Sequence, residues 1–206
     1  ACIGALVADS RFEQTRGVAP QSGIDLEPNR PYAVRDVTLR GCVAVDNAGW
    51  GIVLSGETVS EVVVERCVMS GNQSFGGLAM IDAHHCVARD NRIERNLKGG
   101  VHLEGAVSNT FSGNVIRHNS QVESRLWPNV IVQFRARGNV FTSNAFSESE
   151  RASAEPGPDI SIRADCDATR VVGNTFRARS VDQHGRVTGG VINESPTTVL
   201  QDNATT

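Results

Sequence analysis

The sequence has 206 residues, a formal charge of −3 and a pI near 6.0, with 20 glycines and aromatic residues at only 5%. That length suits one domain with a sizeable core, and the acidic balance argues against recruitment to nucleic acid or an anionic membrane. Scarce aromatics beside abundant Gly and Asn argue against a helical bundle, and no apolar run is long enough to span a bilayer.

The chain opens without Met in "ACIGALVA", which already reads as a strand, as a processed form or a fragment would. Next comes "QSGIDLEPN" at 21–29, with two acids, Asp25 and Glu27, at i and i+2. On a strand these share one face, so the stretch is either a charged surface rung or half of an active site. "TLRGCVAVDN" follows and returns in altered form as "VVERCVMSGN", "VARDNRIERN", "TFSGNVIRHN", "RARGNVFTSN" and "RVVGNTFRAR". Aligned, these segments set Cys42, Cys67, Asn91, Asn114, Asn139 and Asn174 in one column, at steps of 25, 24, 23, 25 and 35 residues. A second column holds Asn47, Asn72, Asn96, Asn119 and Asn144 and ends at Arg179.

Between these segments lie "GIDLEP", "GIVLSG", "GLAMID", "GVHLEG", "NVIVQF", "DISIRA" and "GVINES". Their period-2 alternation after a Gly reads as short strands with one buried face. Short strands, Gly/Asn turns and no helical period predict a solenoid with one repeat per coil. Stacked Asn side chains at the turns would hydrogen-bond along the stack and tolerate the left-handed backbone such turns need. The fold expected is all-β, a single-stranded right-handed parallel β-helix of about seven coils with Asn ladders, forming one domain over 1–206. Its handedness follows from the general preference of parallel crossovers. "SESERASAEPGPD" at 147–159 is expected to be an exposed loop insertion. The five cysteines lack CxxC spacing and are expected to be mostly small buried hydrophobes rather than a zinc or disulfide framework.

From about Gly23 to Glu104 the chain resembles the carbohydrate-active right-handed β-helix superfamily of pectate lyases, polygalacturonases and mannuronan epimerases. The nearest pattern is the epimerases' Gly-aromatic-Asp-Pro-His strand, followed by a coil like "VTLRGCVAVDN" and another "GI" rung. Gly23, Ile24 and Asp25 stand at its first three positions, whereas Glu27 stands where the epimerases carry His. The resemblance implies a polysaccharide substrate and either lyase or epimerase chemistry at a uronic acid or glycosidic cleavage.

Asp25 and Glu27 are the leading acid/base candidates, because a close carboxylate raises its neighbour's pKa and supplies a general acid at neutral pH. Their outward column continues through Val53/Ser55, Ala79/Ile81, His102/Glu104, Ile131/Gln133, Ser161/Arg163 and Ile192/Glu194. His102 and Glu104 form a second imidazole–carboxylate candidate on one face. Asp82 and His84, in "IDAHH", form a third, short of ligands for a metal. Tyr32 and Trp50 are candidates to stack on a sugar, and Arg35, Lys98, Arg135 and Arg163 to neutralise uronate carboxylates.

The sequence implies no organic cofactor, and calcium is conceivable without being indicated. An extracellular, cell-surface or periplasmic setting fits a polysaccharide partner. Exposed end coils call for a homotrimer or a flanking domain missing from the sequence. A different class also fits these features: a non-catalytic glycan-binding or structural segment, as in a phage tailspike. A groove-facing Asp25 and Glu27 would favour the enzyme.

Overall fold

A computed structural model describes residues 1–74, 76–121, 127–147, 158–177 and 190–206. The described residues form strands and turns without a helix, and every paired strand is parallel to its neighbour. Three sheets run the length of the solenoid, visited in turn by each coil. The first begins at Cys2–Ala8 and has nine strands, the second begins at Arg11–Glu13 and has eight, and the third begins at Ile24–Leu26 and has seven. The seven rungs of the third sheet match the expected number of coils.

The alternating apolar residues point inward and are almost fully buried, as Leu39, Leu54, Met69, Met80 and Leu103 illustrate. Farther along, two stacked phenylalanine pairs fill the interior. Phe111 lies 4.8 Å from Phe141, and Phe146 lies 5.1 Å from Phe176, with rings nearly parallel. Four of the five cysteines are buried and free, and Cys2 is exposed. Burial pushes the thiols of Cys67, Cys86 and Cys166 up to about 11.

Asparagines line the interior in ladders. Each Oδ1 accepts from the backbone N–H and the side-chain amide of the Asn one rung earlier, as Asn114 does from Asn91 at 2.9 and 3.0 Å. Each amide nitrogen also donates to a main-chain carbonyl, so buried polar groups at the turns are paired. The ladders correct the sequence alignment. Asn114 pairs with Asn144, not Asn139, and Asn144 pairs with Asn174. Asn139 belongs to a separate ladder with Asn109. The coils lengthen from 23 residues at Asn91–Asn114 to 30 at Asn114–Asn144. The "GNV" of 138–140 therefore imitates the "GNV" of 113–115 from a different turn.

Gly23 and Gly51 precede third-sheet strands, Gly77 and Gly100 stand second in theirs, and none of the four has room for a Cβ. At Gly51 it would lie 2.6 Å from the Gly77 carbonyl and 2.9 Å from the Asn72 amide. On later rungs Asn129 and Asp159 stand in this column and carry the ladder themselves, Asn129 accepting from Asn119 and donating to Asp159. Of the loop expected at 147–159, residues 148–157 lie outside the described residues, as does Arg179.

Candidate functional site

The outward side of the third sheet carries the column read from the sequence. Asp25, Val53, Ala79, His102, Ile131, Ser161 and Ile192 are cross-strand neighbours in that order. Two residues further along each strand, Ser55, Ile81, Glu104 and Gln133 align likewise. Ser55 Oγ lies 3.5 Å from Glu27 Oε1, placing Glu27 at the head of that second line. Although they point outward, Val53 and Ala79 between the polar stations are buried, as are Ile131 and Ser161 beyond the second.

The two stations differ in kind. At the first, Glu27 is exposed and Asp25 half-buried, with one carboxylate oxygen buried and unpartnered. Burial raises the Asp25 pKa above the ordinary carboxylate value, and the neighbouring Glu27 charge adds to the rise. At the second, His102 Nε2 lies 2.7 Å from Glu104 Oε1 and 2.8 Å from the Gln133 amide nitrogen, which donates to Glu104 at 3.1 Å. Burial lowers the His102 pKa against the opposing pull of Glu104, favouring a neutral imidazole. Three rungs separate the stations, roughly 14 Å at strand spacing.

Aromatic side chains lie along the leading edge of the sheet. The Trp50 ring crosses the neighbouring rung at Gly76, where a Cβ would stand 3.0 Å from it. It meets the His102 ring edge-on at 5.5 Å. Trp127 precedes the strand after His102, and Lys98 Nζ stands 4.9 Å from its ring centroid, a cation–π contact. Trp127 and Gln133 were not singled out from the sequence. A signal existed for Trp127, because both tryptophans of the chain stand two or three residues before a third-sheet strand.

Asp82 and His84 come together around the corner from this face, in a cleft of about 420 Å³ between the third and first sheets. The cleft shares Gly105 with the backbone just past Glu104, so it adjoins the second station. His84 Nε2 lies 3.2 Å from the Glu57 carbonyl, and its Nδ1 lies 3.0 Å from His85 Nδ1.

The remaining candidates are spread out. Tyr32 is exposed beyond the far end of the Asp25 strand, where its carbonyl accepts from the Thr58 hydroxyl, well apart from Trp50 at the leading edge. Arg35 is exposed on the first sheet, in register with Ile3 and Ser60, and does not share the face of Asp25 and His102. Arg163 follows Ile162 on the rung after Gln133 and stands 3.6 Å from Glu194.

A family model described as "Periplasmic copper-binding protein (NosD)" matches residues 8–198. Among proteins of curated function, none matches the sequence. Solved structures of like fold include the A-module of the Azotobacter vinelandii mannuronan C-5 epimerase AlgE6. It is 17% identical, with a TM-score of 0.77 over all of this chain and 55% of that one. An alginate lyase from Paenibacillus is 14% identical, with a TM-score of 0.72 over all of this chain and 70% of its own. The A-module of A. vinelandii mannuronan C-5 epimerase AlgE4 is 15% identical, at 0.65 over 95% and 57%. The chain thus spans little more than half of the epimerase modules, and at these identities the likeness is one of fold.

The copper in the family's description can be tested against the donors in place. No group of three or more His, Cys, Asp or Glu side chains converges among the described residues. Three of the buried thiols are pushed up to about 11 and stay protonated, whereas a thiolate is the metal ligand. The adjacent imidazoles engage each other through Nδ1, which leaves His85 Nε2 alone as a donor there. With His84 Nε2–H donated to the Glu57 carbonyl, the His84 Nδ1 lone pair accepts from His85 Nδ1–H. The described donors do not form a copper site.

Proposed function

The chain belongs to the periplasmic copper-binding protein (NosD) family, and from the outer face of its third sheet we propose that it acts on a glycan. The sugar chain would lie along the third sheet, across the rungs, and proton-transfer chemistry would occur at His102 and Glu104. The His102–Glu104–Gln133 cluster beside Trp50 carries this reading. Pyranose rings offer apolar faces and hydroxyl edges, and this face supplies indole rings beside polar stations. The neutral imidazole takes a proton from the sugar, the Glu104 carboxylate stabilises the imidazolium that forms, and Gln133 holds the carboxylate in place. The like fold of a mannuronan epimerase and an alginate lyase supports this reaction class.

Glycosidic cleavage is the weaker chemical reading. Asp25 and Glu104 are too far apart to flank one bond, since paired glycosidase carboxyls stand within about 9.5 Å. Cleavage would fall to Asp25 and Glu27 alone, with the half-buried Asp25 as acid. Non-catalytic glycan binding is favoured by one observation, the indole rings of Trp50 and Trp127 along the edge of the sheet, which offer a sugar contact without chemistry. The periplasm, named in the family's description, is the compartment that fits either reading.

The test incubates the protein with neutral and uronic-acid polysaccharides beside two variants, His102→Gln/Glu104→Gln and Asp25→Asn/Glu27→Gln. Reducing ends, ultraviolet absorbance of unsaturated products and C5 inversion by proton NMR report the three reaction classes. Unsaturated or inverted uronate, lost with the first variant, is the expected result. Turnover that survives that variant would remove the dyad from the chemistry, and binding without turnover would select the non-catalytic reading.

A further inference from the structure

The corner cleft beside the second station has chemistry of its own. Arg135 and Arg137 line it from a single turn, both exposed, and neither guanidinium has a partner among the described residues. Two carboxylates, Asp82 and Glu57, also line it, but Glu57 is paired with Arg30 at 2.5 Å. Arg135 and Arg137 therefore face two carboxylates, of which Glu57 already has its arginine.

The apolar wall is Phe134, which is 59% exposed. Its φ of 54° lies in the left-handed region, where a bulky side chain is an outlier. The corresponding turn positions on the preceding rungs are Gly56, Asp82 and Gly105, residues that tolerate this backbone. The aromatic ring thus stands at the one described rung of this corner where it faces two unpaired arginines.

The cleft walls also continue the backbone of the second station. Gly105 follows Glu104 and Phe134 follows Gln133, so a sugar resting on His102, Glu104 and Gln133 presents its ring substituents to the cleft mouth.

We propose that this cleft binds an oxyanion substituent, a carboxylate or a sulfate ester, on the sugar held at His102 and Glu104. The proposal rests on the glycan reading above and adds to it the groups that hold the sugar's acid. Guanidinium groups suit this role because their planar forks pair with two oxygens of a carboxylate or sulfate. The histidines lie beside them on the same wall, and the Phe134 ring covers the apolar face of the sugar carrying the anion.

The experiment measures affinity for three soluble polymers, a polyuronate, a sulfated glucan and a neutral glucan, by calorimetry and affinity electrophoresis. The protein is compared with Arg135→Gln/Arg137→Gln and Arg135→Lys/Arg137→Lys. The expected result is binding of an acidic polymer about tenfold or more tightly than the neutral one. The Gln variant should lose that preference at unchanged melting temperature, and the Lys variant should keep part of it. Preference for the uronate or for the sulfate identifies which oxyanion is read. A Gln variant that keeps the full preference overturns the proposal, as does equal binding of all three polymers by the unaltered protein. Either outcome leaves the glycan reading standing. Binding of none of the polymers overturns both.

Discussion

Two columns of side chains run along this solenoid, one inside the coils and one outside on the third sheet. The inner column repeats a single solution, with each Asn accepting twice from the rung before and donating to a carbonyl and to the rung after. The outer column changes at every rung, from the unpartnered oxygen of Asp25 through apolar Val53 and Ala79 to the bonded His102 and Glu104. Repetition inside fixes the backbone, because buried amides must be paired wherever they occur. The outside is relieved of that duty, so its residues can hold pKa values and geometries that the fold alone would not select. Substitutions should separate the two columns, moving stability inside and activity outside.

The largest effect is expected from Asn114→Ala. It strips the acceptor from the Asn91 backbone N–H and amide, and removes the donor to the Ala88 carbonyl and to Asn144. Leaving buried groups unpaired at about 1–3 kcal/mol apiece gives a loss of about 5 kcal/mol, read by urea unfolding. A cost below about 1 kcal/mol would mean that water replaces the ladder.

Next comes His102→Gln, expected to lower turnover by roughly 10²- to 10⁴-fold with little change in unfolding. The pH profile sharpens the contrast. Burial holds the His102 pKa below the ordinary imidazole value of about 6.5, so activity that needs the neutral imidazole persists to lower pH than a free imidazole would allow. A turnover profile already half lost at pH 7 would contradict a desolvated base.

The third effect lies where an inner ladder meets an acid. Asp159 is fully buried, accepts from Asn129 and Gly190, and has its pKa pushed up by burial to about 6. The folded state therefore holds this proton more tightly than the unfolded chain does. Its stabilising contribution is complete below about pH 4 and is lost as pH rises through 6, by about 3 kcal/mol. Asp159→Asn should flatten that slope. It should recover only about 1 kcal/mol at neutral pH, because an amide nitrogen would then face the Gly190 N–H. A pH-independent difference between variant and parent would show that Asp159 does not titrate in this range.

The legible parts of the molecule are those set by local repetition. Alternating apolar residues after Gly gave the third-sheet strands, and the spacing of Asn72, Asn96 and Asn119 gave the ladder before any lengthening of the coil. The alignment failed after Asn114 because the coil grows to 30 residues while "GNV" recurs after 25. Periodicity cannot tell a longer coil from a shifted one. The His102/Glu104 column was legible for the same reason as the strands, whereas the corner cleft was not. Its walls come from turns of four rungs, Glu57, His84, Gly105 and Arg135, which only the stacking brings together. Arg35 looked equivalent to the groove arginines because composition carries no information about which of three sheets a residue faces.

Phe134 gives the smallest and most discriminating prediction, since it tests whether the outer column is held against the interest of the fold. A left-handed backbone costs a non-glycine residue about 1–2 kcal/mol, and introducing Gly returns about 0.5–1 kcal/mol of that as unfolded-chain entropy. The ring is mostly exposed and contributes little burial to offset this. Phe134→Gly should therefore be about 0.5 kcal/mol more stable in urea while binding acidic glycan more weakly. The opposite signs are the point of the measurement: a residue that costs stability and is kept on the surface is one the fold did not choose. If Phe134→Gly unfolds more easily, the ring packs onto the solenoid after all, and this corner obeys the same rule as the asparagine ladders inside it.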